Sequence, residues 1–473
     1  MTDLAVHPAV LALCRAVAAA GGRALVVGGW VRDRLRGVAT LDYDLEVFGL
    51  AVEPLKELLA RHGALNAVGE AFTVFKLRLA AASELPPLDV SLPRRESKSG
   101  RGHRGFTVRG EPGLAFAEAA RRRDFTVNAV SFDPLADELV DPHRGAADLA
   151  RRLLRAVDPA SFGDDSLRVL RAVQFAARLE FAIEPATVEL CRTIDLSDLP
   201  AERVWGEVEK WLLRSARPSL GWEAARALGV VERLWPECAA LVGCPQEPEW
   251  HPEGDVWTHT GLVLDEAARL AADLPRARRA TLMLAAVAHD FGKPATTRLE
   301  DGRVRSRGHE EAGVAPALAF LERLNVRTLD GFDVRSEVAA LVQYHLSPTH
   351  FLNAEERGQR VSDGAFRRLA LKVDPELLYR LALADTRGRG TAAPSPAPEW
   401  FRERMLRLEI AAGGPRPLLL GRHLLALGLA PGPEVGRLLD AVFELQLDGR
   451  VSTLEEAVAA ARELLAAGAP KAT

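Results

Sequence analysis

A chain of 473 residues is too long for one hydrophobic core, and three or four domains are the expectation. Hydrophobic residues make up 48%, ample for packed cores, while a formal net charge of -4 excludes a uniformly basic nucleic-acid binder, so any such surface must be a local patch. Four scattered cysteines (Cys14, Cys191, Cys238, Cys244) form no Cys-x-x-Cys unit and no apolar run approaches the roughly 18 residues of a membrane span, which points to a reducing cytoplasm and no membrane partner.

The first predicted element is a helix over Val10–Ala20, followed by the compact stretch Ala24–Phe48, ALVVGGWVRDRLRGVATLDYDLEVF. Ala24–Val27 reads as a buried strand, Gly28 and Gly29 as a turn that brings bare backbone N–H groups to an anion, and Trp30–Leu35 as a helix carrying Arg32 and Asp33. The next strand, Leu41–Phe48, sets Asp42 and Asp44 two residues apart and therefore on one face. Such a pair can hold two Mg²⁺ about 3.5–4 Å apart for an in-line displacement at phosphorus. Glu46 shares that face and has two readings, a third ligand or, by preference, a solvated carboxylate. No Gly-Lys-Ser/Thr follows the glycines, so this is not a Walker A loop. A helix over Val52–His62 and strands over Thr73–Ala80 and Leu88–Leu92 give the mixed order of an α+β sheet domain.

GGWVRD followed by LDYDLEVF resembles the head of the tRNA nucleotidyltransferase family, the bacterial CCA-adding enzymes and their relatives the poly(A) polymerases. The resemblance implies that Asp42 and Asp44 are catalytic Mg²⁺ ligands, that Gly28, Gly29 and Arg32 contact the nucleotide, and that Asp89 in LDVSL joins the carboxylates. Arg94–Arg109, RRESKSGRGHRGFTVR, carries six Lys/Arg against one Glu and reads as a flexible basic loop suited to phosphates. AARRRDFTVNAV, Ala119–Val130, is similar to the family's RRDFTxNA segment, which implies that Arg123 contacts triphosphate and that Asp124 and Asn128 hold the loop or the ribose.

Helical spacing governs the chain beyond Asp141–Val157. In Asp164–Arg178, DDSLRVLRAVQFAAR, it puts Asp165, Arg168 and Arg171 on one side. An acceptor and a fork of donors one turn apart could read the edge of C or A without a template; the bare pattern is equally a surface ion pair worth roughly 0.2–0.5 kcal/mol. The segment resembles the family's Glu-Asp-x-x-Arg base-selecting motif, which implies base reading by Asp165 and Arg168 and triphosphate binding by Arg171. Two departures stand out: the leading Glu is Asp164, and the Arg three residues beyond Arg171 is Gln174. ERVWGE, Glu202–Glu207, resembles the last family motif, with Arg203 and Glu207 expected to brace their helix at an i, i+4 spacing.

His251, His259, His289, His309, His345 and His350 place six of eleven histidines within one hundred residues, a clustering that asks for a metal. An adjacent His289-Asp290 at the end of an apolar helix, a His about thirty residues before and an Asp about a hundred after, resembles the HD metal-dependent phosphohydrolase superfamily. That implies His259, His289, Asp290 and Asp385 as ligands of a first metal, His309 and His345 at a second, and Lys293 near a phosphate oxygen. Mixed imidazole and carboxylate ligands suit Mn²⁺, Ni²⁺, Co²⁺ or Fe better than Mg²⁺. A proline-rich linker, Ala392–Pro398, precedes a helical tail expected to grip RNA by shape and phosphate.

The expected architecture is α+β: an N-terminal mixed β-sheet nucleotidyltransferase head (1–150), an all-α neck (151–245), a helical HD domain (246–390), and a linker with a helical tail (391–473). The expected function is transfer of CMP and AMP from CTP and ATP to the 3′ end of tRNA without a nucleic-acid template, building or repairing CCA, together with a phosphohydrolase activity of the HD domain. Alternatives are an A-adding or CC-adding specialist, a poly(A) polymerase, and a phosphohydrolase whose head only binds RNA.

Overall fold

A computed structural model describes residues 4–67, 74–98, 106–390 and 395–467 and divides the chain into two compact units, Met1–Leu234 and Trp235–Thr473. The first unit opens with α1 (Pro8–Ala19), whose proline start and His7 cap satisfy the helix N-terminus. There follow β1 (Arg23–Val27), α2 (Gly29–Leu35), β2 (Asp44–Phe48), α3 (Val52–Ala60), β3 (Gly63–Ala67), β4 (Val74–Leu79), β5 (Leu88–Ser91), β6 (Arg94–Lys98), β7 (Phe106–Gly110), α4 (Phe116–Arg121), β8 (Ser131–Asp133), β9 (Glu138–Val140) and α5 (Gly145–Ala150).

Seven of these strands make one mixed sheet in the order β3-β4-β5-β2-β1-β8-β9, with β2 and β5 parallel and the other pairs antiparallel. After Arg23, β1 is buried on both faces, which is why Ala24–Val27 are apolar without alternation. Ala24 and Val26 pack with Val10, Leu13 and Leu55, while Leu25 and Val27 pack with Phe48, Leu114 and Ala119 on the opposite face. The basic stretch expected as a loop is in part a hairpin: β6 and β7 pair antiparallel, and its central residues 99–105 lie outside the described residues.

The remainder of the first unit is mostly helical, with α6 (Leu167–Leu179), α7 (Pro185–Thr193), α8 (Ala201–Arg214), α9 (Pro218–Ala227) and α10 (Val230–Leu234), and a short parallel pairing of Leu153–Leu154 with Ala182–Ile183. α6 packs against α8 and α9, and Trp211 fixes the turn between the last two by donating Nε1–H to the Pro218 carbonyl at 2.8 Å.

The second unit comprises α11 (Pro236–Ala239), α12 (Val256–Leu270), α13 (Arg276–Ala288), α14 (Lys293–Thr296), α15 (His309–Ala312), α16 (Val314–Arg323), α17 (Val334–Tyr344), α18 (Ser347–Glu356), α19 (Asp363–Ala370), α20 (Pro375–Gly388), α21 (Ala397–Arg407), α22 (Gly421–Ala426), α23 (Pro433–Leu447) and α24 (Leu454–Ala466). Its start, expected with the neck, packs here: Trp235 meets Phe320 edge-on at 6.3 Å, and Glu237 pairs with Arg323. α12 and α20 lie close together because α20 carries Gly388, where a Cβ would come within 2.6 Å of Val263 Cγ2. The last helices share a small core of Leu424, Leu438, Val442, Ala457 and Ala461. The proline-rich linker falls partly outside the described residues, at 391–394. Among the described residues no helix is long and apolar enough to cross a membrane.

Candidate active sites

In the first unit, β1 gives way at Gly28, with φ +69°, to a left-handed conformation that favours glycine. A Cβ there would also press on Arg123 Nη1 at 3.1 Å, with Asp44 Oδ2 in ordinary contact at 3.6 Å, so the backbone conformation calls for glycine and the fit against that guanidinium is tight. β2 starts at Asp44 rather than at Leu41, which leaves Asp42 in the preceding loop. Both carboxylates nevertheless line one cavity of about 530 Å³. Asp44 stands opposite Asp89 of the parallel strand β5, and Asp89 is itself paired with Lys76 at 2.7 Å. Burial and the neighbouring Asp42, with a further push from Asp89, raise the Asp44 carboxyl to about 6 against the pull of Arg123. A carboxylate left short of positive charge in this way fits a cation.

Glu46 departs from expectation. It is 3% exposed and takes Arg122 Nη2 at 2.7 Å and Arg123 Nη2 at 3.6 Å, so it aims two guanidiniums instead of meeting solvent. The strand alternation that turns Leu45 and Val47 into the core puts Asp44 and Glu46 together on the other face.

The RRDFTVN segment links the head to α6. Arg32 Nη1 donates to Asn128 Oδ1 at 2.7 Å, Asn128 Nδ2 donates to Asp124 Oδ1 at 2.9 Å, and Arg171 Nε donates to Asp124 Oδ2 at 2.6 Å. Burial opposes the charge of Asp124, but Arg171 and the Asn128 amide outweigh it and hold its pKa below the usual carboxylate value.

Asp165 lies two residues before α6, in extended backbone after a short 3₁₀ turn at Phe162–Asp164, so it does not share a helical face with Arg168. Its Oδ2 accepts from Arg203 Nη2 at 3.0 Å. Arg168 donates to the carbonyls of Ser161 at 2.9 Å and Arg122 at 2.5 Å, which ties α6 to the RRDFTVN segment. The expected Arg203–Glu207 brace is absent in that form: Glu207 is buried and takes Lys210 at 2.8 Å, with Arg171 at 3.9 Å. Arg203, expected as support, therefore belongs to the cavity wall, together with Arg178, Lys210 and Arg214, which no sequence motif singles out. Nine arginines and a lysine line this cavity against four aspartates, a balance that suits a polyanionic ligand.

The second unit holds the histidines. Asp255 caps α12 by accepting the Thr258 N–H at 2.9 Å, which sets the fully buried His259 in the helix's second turn. His289 follows the buried helix α13, His309 opens α15 and His345 follows α17. In each the Nδ1 lies against a carbonyl three residues back, Ala286 at 2.9 Å, Ser306 at 2.6 Å and Val342 at 2.7 Å. Donation from Nδ1 leaves the Nε2 lone pair free to ligate.

His259, His289 and Asp385 offer ligand atoms within 4.8 Å of one another, and so do Asp290, His309 and His345. Asp290 stands between the two groups, with Oδ2 3.3 Å from His289 Nε2 and Oδ1 3.4 Å from His309 Nε2. The His289 Nε2 is buried and makes no hydrogen bond among the described residues, and His309 and His345 face each other Nε2 to Nε2 at 3.3 Å. Lone pairs so arranged fit divalent cations. Burial, with His309 and His289 nearby, lowers the His345 pKa to about 3, so its imidazole is neutral. Lys293 Nζ lies 2.7 Å from Asp290 Oδ2.

Three supporting residues were not foreseen. Glu253 Oε1 lies 2.8 Å from both His251 Nδ1 and His259 Nδ1; burial opposes its charge, but those histidines outweigh burial and bring it to about 2. Arg389 pairs with Asp385 at 2.9 Å, one helical turn on, and Gln246 accepts from Lys293 at 2.7 Å. The i+4 spacing in ADTRGR could have disclosed Arg389; Glu253 and Gln246 lie in irregular chain with no periodic signal. A cavity of about 580 Å³ opens onto Asp290, Lys293, His309, His345 and Asp385.

The chain matches three families: the Poly A polymerase head domain over residues 24–155, the family described as probable RNA and SrmB-binding site of polymerase A over 180–241, and the HD domain over 256–385. Among curated proteins it is 38% identical over 429 residues to a multifunctional CCA protein of Verminephrobacter eiseniae, covering 88% of this chain and 95% of that one. It is 37% identical over 431 residues to one of Xanthomonas campestris pv. campestris, with the same coverage of 88% and 95%. Among solved structures, the Bacillus stearothermophilus CCA-adding enzyme in complex with CTP aligns with a TM-score of 0.63 at 22% identity, over 98% of this chain and 99% of that one. The Thermotoga maritima CCA-adding enzyme complexed with tRNA aligns with a TM-score of 0.59 at 20% identity, over 98% and 96%. At these identities the structures speak for the fold.

Proposed function

The chain belongs to the family of multifunctional CCA proteins, and on that premise we propose that it transfers CMP and AMP from CTP and ATP to the 3′ hydroxyl of tRNA without a nucleic-acid template. The observation that carries the reading is the single cavity where Asp42 and Asp44 face nine arginines and a lysine: carboxylates for metal beside cations for a triphosphate. Asp42 and Asp44 hold Mg²⁺, which when bound supplies Lewis acidity at the reacting phosphate. Gly28 and Gly29 let the backbone approach the nucleotide, and Arg32, Arg123 and Arg171 bind triphosphate oxygens. Glu46 and the Asp124–Asn128 pair hold those guanidiniums in place.

Asp165 and Arg168 read the base edge, with Arg203 steering Asp165; for this Arg168 exchanges the Arg122 carbonyl for a base acceptor. Residues 1–150 form the head, the following helices the neck, 246–390 the HD domain, and the last helices the tail that contacts the tRNA body. The protein works in the cytoplasm, in keeping with its four unpaired, buried cysteines.

A second activity is favoured by the two ligand groups that meet at Asp290. His259, His289, Asp290 and Asp385 hold one transition metal and His309 and His345, with Asp290, a second; such a pair supplies the activation of water for phosphoester hydrolysis. Lys293 holds a phosphate oxygen at that site.

Asp42→Ala and Asp44→Ala should abolish nucleotide incorporation while leaving phosphohydrolase activity in place. Incorporation at the wild-type rate by Asp42→Ala would overturn its role.

A further inference from the structure

Among the guanidiniums of the transferase cavity that have no task in the assignments above, Arg178 is held in a distinctive way. Arg178 lies one turn beyond Gln174 on α6, and its Nη1 donates to Gln174 Oε1 at 3.0 Å, an amide only 1% exposed. Three guanidiniums surround the Phe175 ring, those of Arg32, Arg171 and Arg178, at 5.3, 5.2 and 5.9 Å. Two of them meet carboxylates: Arg32 meets Asp33 at 2.9 Å and Arg171 meets Asp124 at 2.6 Å. Arg178 is held by a neutral acceptor, and among the described residues it forms no ion pair. Burial, with Arg32 and Arg214 nearby, works against its charge, and the more weakly felt carboxylates Asp33 and Glu207 offset this only in part.

Arg178 also belongs to the wall of a second cavity, of about 510 Å³, where Arg36 and Arg152 stand with one carboxylate, Glu180. An arginine on an open surface would be satisfied by water, whereas a half-buried one among like charges gains most from an anion. Gln174 contributes an acceptor that fixes the direction of the guanidinium without neutralising it.

We propose that Arg178, aimed by Gln174, is a further phosphate-binding residue of the transferase site. The proposal rests on the transferase reading. The phosphate belongs either to the triphosphate of CTP or ATP, bound in the first cavity, or to the acceptor strand of the tRNA, entering from the second; the chemistry recognised is the same.

Steady-state transfer by Arg178→Ala, Arg178→Lys and Gln174→Leu separates these sources. The expected result for Arg178→Ala is a KM raised about tenfold, the loss of one charge-assisted hydrogen bond, with kcat within about threefold of wild type. A rise in KM for CTP and ATP identifies the triphosphate; a rise in KM for tRNA alone identifies the acceptor strand. Arg178→Lys should recover part of the loss, and Gln174→Leu should raise the same KM by a smaller factor. The proposal is overturned if both KM values stay within about twofold of wild type, or if the loss falls on kcat and lysine does not restore it. Wild-type protein that transfers no nucleotide overturns the transferase reading as well, whereas normal transfer by every Arg178 variant overturns this proposal alone.

Discussion

Asp44→Asn should make the first unit more stable at neutral pH when divalent cations are chelated. The Asp44 carboxyl is raised from 3.8 to about 6 by burial and by Asp42. A carboxyl raised this far costs at most about 3 kcal/mol to charge in the folded protein. The folded state holds this proton more tightly than the unfolded one. Stability from this group is therefore complete below about pH 4, falls as pH rises through about 6, and is lost above that. Asparagine has nearly the same shape and no charge, so the variant should match wild type at low pH and exceed it at pH 7.5 by up to about 6–12 °C in midpoint. Mg²⁺ should reverse the order by stabilising wild type and leaving the variant unmoved. Thermal unfolding of the full chain, followed by tryptophan fluorescence from about pH 4 to 8 in chelator and in Mg²⁺, measures both effects. An asparagine variant no more stable than wild type in chelator at pH 7.5, or an equal response of both proteins to Mg²⁺, would refute the reasoning.

Gly28→Ala forces a side chain into φ +69° at about 1–2 kcal/mol and pushes on Arg123 Nη1, so kcat/KM for transfer should fall about tenfold or more with a lower melting temperature. Glu253→Gln keeps the shape that holds His251 and His259 but not the charge; Mn²⁺ or Ni²⁺ titration should find second-unit metal affinity down about 10–100-fold, with nucleotide transfer unchanged. Arg203→Gln removes the guanidinium that holds Asp165 at 3.0 Å, and the discrimination between CTP and ATP, measured as a ratio of kcat/KM values, should fall about tenfold.

Local spacing made much of both sites legible. Gly28, Asp42 and Asp44 lie within one strand-turn-helix-strand unit, and the distances between His259, His289, Asp290 and Asp385 carry their own pattern. What escaped depended on chain segments far apart in sequence. Glu46 reads as solvated until Arg122 and Arg123, more than seventy residues on, are seen to cover it. Asp165 reads as one helical turn from Arg168 until the 3₁₀ turn at Phe162–Asp164 delays the helix to Leu167 and hands Asp165 to Arg203. Arg168 looks free in sequence, yet its donors meet carbonyls at positions 161 and 122. Likewise, no pattern in sequence reveals that three histidine Nδ1 atoms each meet a carbonyl three residues back, since that depends on how each helix starts or ends.

The most direct test of the transferase reading offers purified protein and Mg²⁺ three tRNAs, ending before CCA, after C and after CC, each with labelled CTP or ATP alone and together. Sequential incorporation of C, C and A on the shortest acceptor, and of A on the acceptor ending in CC, is the predicted result. Absence of label from CTP on every acceptor, with ATP used only after CC, would contradict full CCA synthesis.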